Sequence, residues 1–276
     1  MSYFGFLALF VGVPIFLLVG LTWRDGRNGR FQPAHLHTYS PWLVLGIHIL
    51  VALIYTTPWD NYLVATRVWW YDPALVTGIT IGWVPIEEYT FFVVQPILTG
   101  LWLLFWMRRS QQSRPAAPVD SWENASLRQW SVIVGAIIWV LMIMILLIGW
   151  QPGNYLALEL GWALPPIMLQ LFFGADILWR QRRLVFLGLV PTTLYLAFAD
   201  AIAIQSGTWT INPEKSLHWL IGGILPIEEF IFFLITNVLV VFGMTLALSV
   251  ESGERLAGWQ QKLLLRKGQQ AIESGN

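Results

Sequence analysis

The chain has 276 residues, of which 56% are hydrophobic and only 12% are charged, with 16 basic and 16 acidic residues giving no formal net charge. A soluble domain carries about a quarter charged residues, so too few are present to cover a water-exposed fold of this size, and the composition points to an integral membrane protein. The absence of cysteine excludes disulfides, thiolate metal sites and cysteine nucleophiles, and basic residues confined to loops and tails argue against nucleic-acid binding.

Crossing about 30 Å of hydrocarbon takes roughly 20 apolar residues. Seven segments meet that requirement, at about 3–22, 41–57, 75–106, 130–149, 156–178, 183–204 and 217–249. The first lacks the basic start and small-residue cleavage pattern of a signal peptide before Trp23-Arg24-Asp25. The third and seventh are long enough to tilt, bend or extend past the hydrocarbon. Between the third and fourth, the Pro, Ser and Gln around Ser110–Ser126 predict a flexible linker over 107–129. The C-terminal tail, 251–276, reads as cytoplasmic, and its polar part, Gln260–Asn276, predicts an interfacial or solvent helix. Seven spans place 14 of the 16 basic residues on one face and only Arg67 and Lys215 on the other. By the positive-inside rule the C-terminus is then cytoplasmic and the N-terminus outside, as in a bacterial cytoplasmic membrane.

The chain repeats itself. Asp60, Trp69, Asp72 and Pro73 recur 140 positions later as Asp200, Trp209, Asn212 and Pro213. Pro85-Ile86-Glu87-Glu88, followed by Phe91-Phe92, recurs 141 positions later as Pro226-Ile227-Glu228-Glu229, followed by Phe232-Phe233. The expected fold is all-α: a first three-helix repeat (1–106), a connector helix (130–149) and a second three-helix repeat (150–250). An odd connector restores the chain direction, so the repeats are parallel, related by an axis along the membrane normal. On these bounds the glutamate pairs lie about ten residues, or roughly 15 Å, into helices three and seven.

Glu87, Glu88, Glu228 and Glu229 carry the chemical signal, because carboxyl groups at depth in a span are costly and by default functional, pore-lining or paired. No Lys or Arg is predicted at their level. Three roles fit them: catalytic proton transfer, hydrogen bonding at a bend made by Pro85 or Pro226, and ion or proton conduction. Adjacent residues on a helix point about 100° apart, so one acid of a pair can face a cavity while its neighbour binds backbone. Phe91, Phe92, Phe232 and Phe233 share a face with the acids at i+4. With Trp83 and Trp162 they are candidates to shield a cation, against the alternative of ordinary packing. Trp69 and Trp209 are expected at the outer interface. Asp60 and Asp200 read as caps and loop anchors, as polar gates to a cavity, or as direct participants in catalysis. Asp176 and Glu159 have weaker claims near the ends of helix five, Asp176 with Arg180 as a partner. His48 and His218 read as packing or interface residues. His35-x-His37 has metal-ligand spacing without further ligands, so no metal and no cofactor are expected.

These repeated blocks resemble the membrane lycopene cyclase domain family, which includes heterodimeric bacterial carotenoid cyclases and the cyclase half of fungal bifunctional enzymes. The resemblance spans roughly residues 3–249, with both halves in one chain, and neither a prenyltransferase domain nor a dinucleotide-binding glycine motif is seen. It implies acid/base closure of linear lycopene ψ-ends into β-rings without redox change, an apolar carotenoid substrate held among membrane lipids, and contact with other carotenoid-pathway enzymes. Ring type (β or ε) and carotenoid length stay open. A proton-coupled transporter is the competing class. A retinal protein is disfavoured because Lys215, Lys262 and Lys267 all lie outside the spans.

Overall fold

The computed structural model describes residues 1–110 and 122–273. Among them, seven helices are long and apolar enough to cross a membrane. In chain order the helices are α1 (Tyr3–Arg27), α2 (Pro41–Ala65), α3 (Ile86–Met107), α4 (Trp122–Ile148), α5 (Asn154–Arg180), α6 (Arg182–Gln205) and α7 (Ile227–Leu248). A tail helix, α8 (Val250–Glu273), follows and is polar. The architecture is all-α apart from short strands in two loops. α3 and α7 form its centre: 61% and 56% of their apolar windows are buried, against 6% for α4, which packs on α5 alone among its large contacts.

Several expected boundaries move. α2 continues through Pro58 to Ala65, and α4 begins at Trp122, inside the expected linker. The rest of that linker, 111–121, lies outside the described residues. The largest correction concerns helices three and seven, which start at Ile86 and Ile227 and not at 75 and 217. Residues 66–85 hold β1 (Trp69–Tyr71) and the hairpin β2 (Thr80–Ile81) with β3 (Val84–Pro85). Residues 206–226 hold β4 (Trp209–Ile211) and the hairpin β5 (Leu220–Ile221) with β6 (Leu225–Pro226). Gly78, Gly82, Gly222 and Gly223 take positive φ in these loops, a conformation that helices do not use. Pro85 and Pro226 therefore precede their helices and bend nothing, and each glutamate pair occupies a first helical turn.

β1 and β4 pair antiparallel, Trp69 opposite Ile211 and Tyr71 opposite Trp209. This ribbon joins the two loops over the ends of α3 and α7. Strand alternation sends Trp69, Tyr71, Trp209 and Ile211 to one side, facing the helices.

Prolines inside the spans free carbonyls four residues earlier, which hydrocarbon cannot solvate. Aromatic donors take them up. Tyr195 donates to the Phe10 carbonyl freed by Pro14 (2.8 Å), and Tyr55 to the Trp162 carbonyl freed by Pro166 (2.9 Å). The Trp139 indole donates to the Gly161 carbonyl freed by Pro165 (3.0 Å), and Trp102 to the Leu187 carbonyl freed by Pro191 (2.7 Å). Part of the high tryptophan content thus serves as inter-helix staples. Trp102→Phe should keep the packing and lose the bond, lowering stability by about 1 kcal/mol, measurable by denaturant titration in micelles.

At the other end of the bundle, Asp25 at the close of α1 binds Arg108 (2.9 Å) and Arg109 (2.7 Å) after α3. Asp176 near the close of α5 binds Arg255 of α8 (2.6 Å), Arg128 (3.3 Å) and Arg180 (3.4 Å). The partner expected for Asp176 is therefore one of three.

Candidate active site

The two acids of each pair part company. Glu87 accepts the Thr77 backbone N–H (2.6 Å), and Glu228 accepts the Leu217 N–H (2.7 Å) and the Ser216 hydroxyl (3.2 Å). They tie each loop back onto the helix it precedes, and they are buried at 1% and 0% exposure. Glu88 and Glu229 are 8% and 5% exposed and line one common pocket. Its wall is aromatic: Tyr3, Phe6, Trp69, Tyr71, Phe91, Tyr155, Trp209, Phe232 and Phe233, with Asp200 also facing in.

Glu88 Oε2 accepts the Tyr3 hydroxyl and the Tyr71 hydroxyl (3.0 Å). Glu229 Oε1 accepts the Tyr155 hydroxyl (2.7 Å). Tyr71 in turn accepts the Trp69 indole N–H (3.2 Å). Burial, and then the Asp60 and Glu88 carboxylates, hold the Tyr71 phenol well above its ordinary pKa, so it remains a donor near neutral pH. No Lys or Arg pairs with these glutamates in any ion pair among the described residues. Their compensation comes from phenol and backbone donors and from the positive ends of α3 and α7, where acids in the first turn face unpaired N–H groups.

The remaining predicted residues divide. Asp200 accepts the Trp209 indole N–H (2.9 Å), anchoring the ribbon, and its second oxygen has no partner among the described residues. Asp60 is fully buried, and neither of its oxygens is hydrogen-bonded among the described residues. Phe91, Phe232 and Phe233 line the acid pocket, whereas Phe92 and Trp162 line a neighbouring apolar chamber. Trp83 sits at the β2–β3 hairpin, 68% exposed, outside the acid pocket. The cause is the late start of α3, which leaves Trp83 in the loop. Trp69 and Trp209, expected at the outer interface, line the pocket from the ribbon. His48 lines the apolar chamber, its ring Nδ1 2.8 Å from the Val44 carbonyl.

Four residues join the site that sequence reasoning passed over or ranked low. Tyr3, Tyr71 and Tyr155 hold the two open glutamates. Glu159, one turn after Tyr155, is fully buried, and both its carboxyl oxygens are unpartnered among the described residues. Tyr3 and Tyr155 both stand at the start of a helix, separated by 152 positions, an offset that a search at 140 or 141 skips.

A polytopic membrane protein with acids and phenols gathered in a narrow aromatic pocket is equipped for proton transfer on an apolar molecule. The comparisons with known proteins specify the class further. The lycopene cyclase family model matches residues 1–106 and 153–247. The lycopene beta-cyclase of Halobacterium salinarum is 36% identical over 249 residues, covering 89% of this chain and 95% of that protein. The bifunctional lycopene cyclase/phytoene synthase of Podospora anserina is 34% identical over 210 residues, covering 73% of this chain and 34% of that protein. That of Blakeslea trispora is 32% identical over 194 residues, covering 70% of this chain and 32% of that protein. The chain thus spans about a third of those bifunctional proteins. No solved structure matches. The chain belongs to the lycopene cyclase family and is a membrane enzyme of that family.

Proposed function

We propose that this enzyme closes linear ψ-ends of lycopene into β-rings, with Glu88 and Glu229 sharing proton delivery and removal in one site. The observation that carries this reading is that the second acid of each repeated motif opens into the same aromatic pocket. A carboxylic acid adds a proton at C2 of the terminal C1=C2 bond, leaving a tertiary cation at C1. The C5=C6 bond attacks it, forming the C1–C6 bond and moving the cation to C5. Loss of the C6 proton to a carboxylate restores C5=C6 and completes the β-ring. One proton enters and one leaves, so the step is an isomerisation and needs no oxidant.

Two phenol donors on Glu88 suit an anion, which favours it as the base, and Glu229, with a single phenol donor, is then the acid. Phe91, Phe232 and Phe233 line the pocket with aromatic rings, excluding water that would capture the cation. Glu87 and Glu228 hold the loops. Asp200 steadies the ribbon, and Asp60 and Glu159 serve as further buried acids of the cluster.

The internal match supports two parallel three-helix repeats (1–106 and 150–250) around connector α4, on which reading the ribbon is made of equivalent loops. The basic-residue split supports an outside N-terminus and a cytoplasmic C-terminus, which puts the acid pocket toward the outer face. Expression in a lycopene-accumulating host, followed by chromatography, should yield monocyclic and bicyclic β-ring products. Unchanged lycopene beside well-folded protein would sink the reading.

A further inference from the structure

Beside the acid pocket lies a second, larger space of about 340 Å³, open on one side. Its walls come from α2 (Ile47 to Thr56) and α5 (Trp162 to Gln170), and its floor from α3 (Phe91 to Pro96) and α7 (Phe232 to Val240). Along α2 it runs from Ile47 to Thr56, about 14 Å at the rise of a helix. Phe91 and Phe232 belong to both cavities, so the chamber ends where the acids begin.

α2 and α5 do not pack along their length. They meet through an aromatic stack at the acid end. Trp162 stacks on Tyr55 (5.4 Å between ring centres) and on Trp59 (4.6 Å), and Trp59 on Phe232 (6.0 Å). Three hydrogen bonds lock the stack: Tyr55 to the proline-freed Trp162 carbonyl, the Trp162 indole to the Tyr55 carbonyl (3.4 Å), and the Trp59 indole to the Leu158 carbonyl (3.0 Å). Further along, the gap is open, with Ile47 and Val51 more than half exposed toward the lipid side. Around α1 and α6, which Tyr195 joins in the same manner, Leu7, Val11, Leu101 and Leu196 are buried in the core cluster.

We propose that this chamber is the binding site for the polyene chain of the substrate, entered sideways from the lipid between α2 and α5. The inference rests on the cyclase reading and adds the path and the residues. One end of the polyene lies against Phe91 and Phe232 at the acids, and the aromatic stack closes that end off. The remainder leaves through the open side beside Val51, because a carotenoid is comparable in length to the roughly 30 Å hydrocarbon layer and the chamber is shorter. Apolar walls with few polar groups fit such an occupant.

The test uses binding and turnover together, on full-length protein in micelles. Ala52→Trp and Leu239→Trp fill the chamber, while Leu50→Trp adds the same bulk on the lipid face of α2. Both filled variants should lose at least about tenfold in cyclisation rate and in lycopene retained on purification, read from its visible absorption, and Leu50→Trp should keep both. Because the chain has no cysteine, Ala52→Cys and Leu50→Cys give single labelling sites that barely disturb packing. Lycopene should slow maleimide labelling of the first and leave the second unchanged. Filled variants with wild-type retention, or equal labelling with and without lycopene, overturn the chamber. Retention and protection by a wild-type protein that forms no rings would overturn the cyclase reading and leave the chamber standing.

Discussion

Glu88→Gln and Glu229→Gln should each lower the rate of ring formation by about 10²–10⁴-fold, the usual worth of a positioned acid or base. The amide keeps the shape and the phenol contacts of the carboxyl group but neither delivers nor accepts the proton. Both side chains open into one pocket, so each is needed for every turnover, and the double variant should fall little below the worse single one. Two duplicate sites would behave otherwise, since each single variant would keep about half the activity. The neighbouring acids supply an internal control. Glu87→Gln and Glu228→Gln retain an acceptor oxygen for the Thr77 and Leu217 N–H groups, so they should keep most of the turnover. Initial rates of lycopene loss, followed by chromatography at matched amounts of folded protein, measure all four. Equal losses at Glu87 and Glu88 would sink the division of labour within the motif.

That division was half legible in the sequence. The repeated Pro-Ile-Glu-Glu block exposed the acids, and helical geometry said that neighbours would diverge, but which one faced the cavity depended on where the helix began. Apolar Val76, Ile79, Ile81 and Val84 continue the hydropathy of α3 backward and hide its start. The counter-signal was present: Gly78 and Gly82 break helices, and proline is favoured at a helix start, with acids welcome in the turn that follows. Read that way, the pairs sit at a positive helix end, which explains how acids at the rim of a membrane bundle do without Lys or Arg. The tyrosines were hidden for another reason. Tyr3, Tyr71 and Tyr155 come from three separate elements, and only the β1–β4 ribbon brings Tyr71 over Glu88. Seven spans followed directly from apolar length, a one-dimensional property. The chamber depends on how far apart α2 and α5 stand, which no periodicity encodes. Even so, Pro14 and Pro166 share the 152-residue offset of Tyr3 and Tyr155, and Tyr55 and Tyr195 are 140 apart, so the aromatic staples recur at the same spacings as the acid-pocket residues.

Asp176→Ala should destabilise the folded enzyme by about 3–5 kcal/mol, the usual cost of stranding a buried charge. The Arg255 guanidinium is 2% exposed and grips both carboxyl oxygens of Asp176, at 3.0 and 2.6 Å. Without that carboxylate its described partner is the Phe173 carbonyl. Arg128 and Arg180 are about one-fifth exposed and reach solvent or headgroups when released, so their share is small. Asp25→Ala strands one buried arginine, Arg108, which keeps a hydrogen bond from Nη2 to the Thr22 hydroxyl (3.0 Å), and it should cost less. Arg180→Ala leaves Asp176 its bidentate partner and should cost under about 1 kcal/mol. Unfolding in mixed micelles as detergent denaturant rises gives the order, and an Asp176 variant as stable as the Arg180 variant would overturn it. Both clamps close the ends of helices opposite to Glu88 and Glu229. Ring formation per folded molecule should therefore stay near wild type while the folded fraction drops, which separates the residues that hold the bundle from those proposed to move the proton.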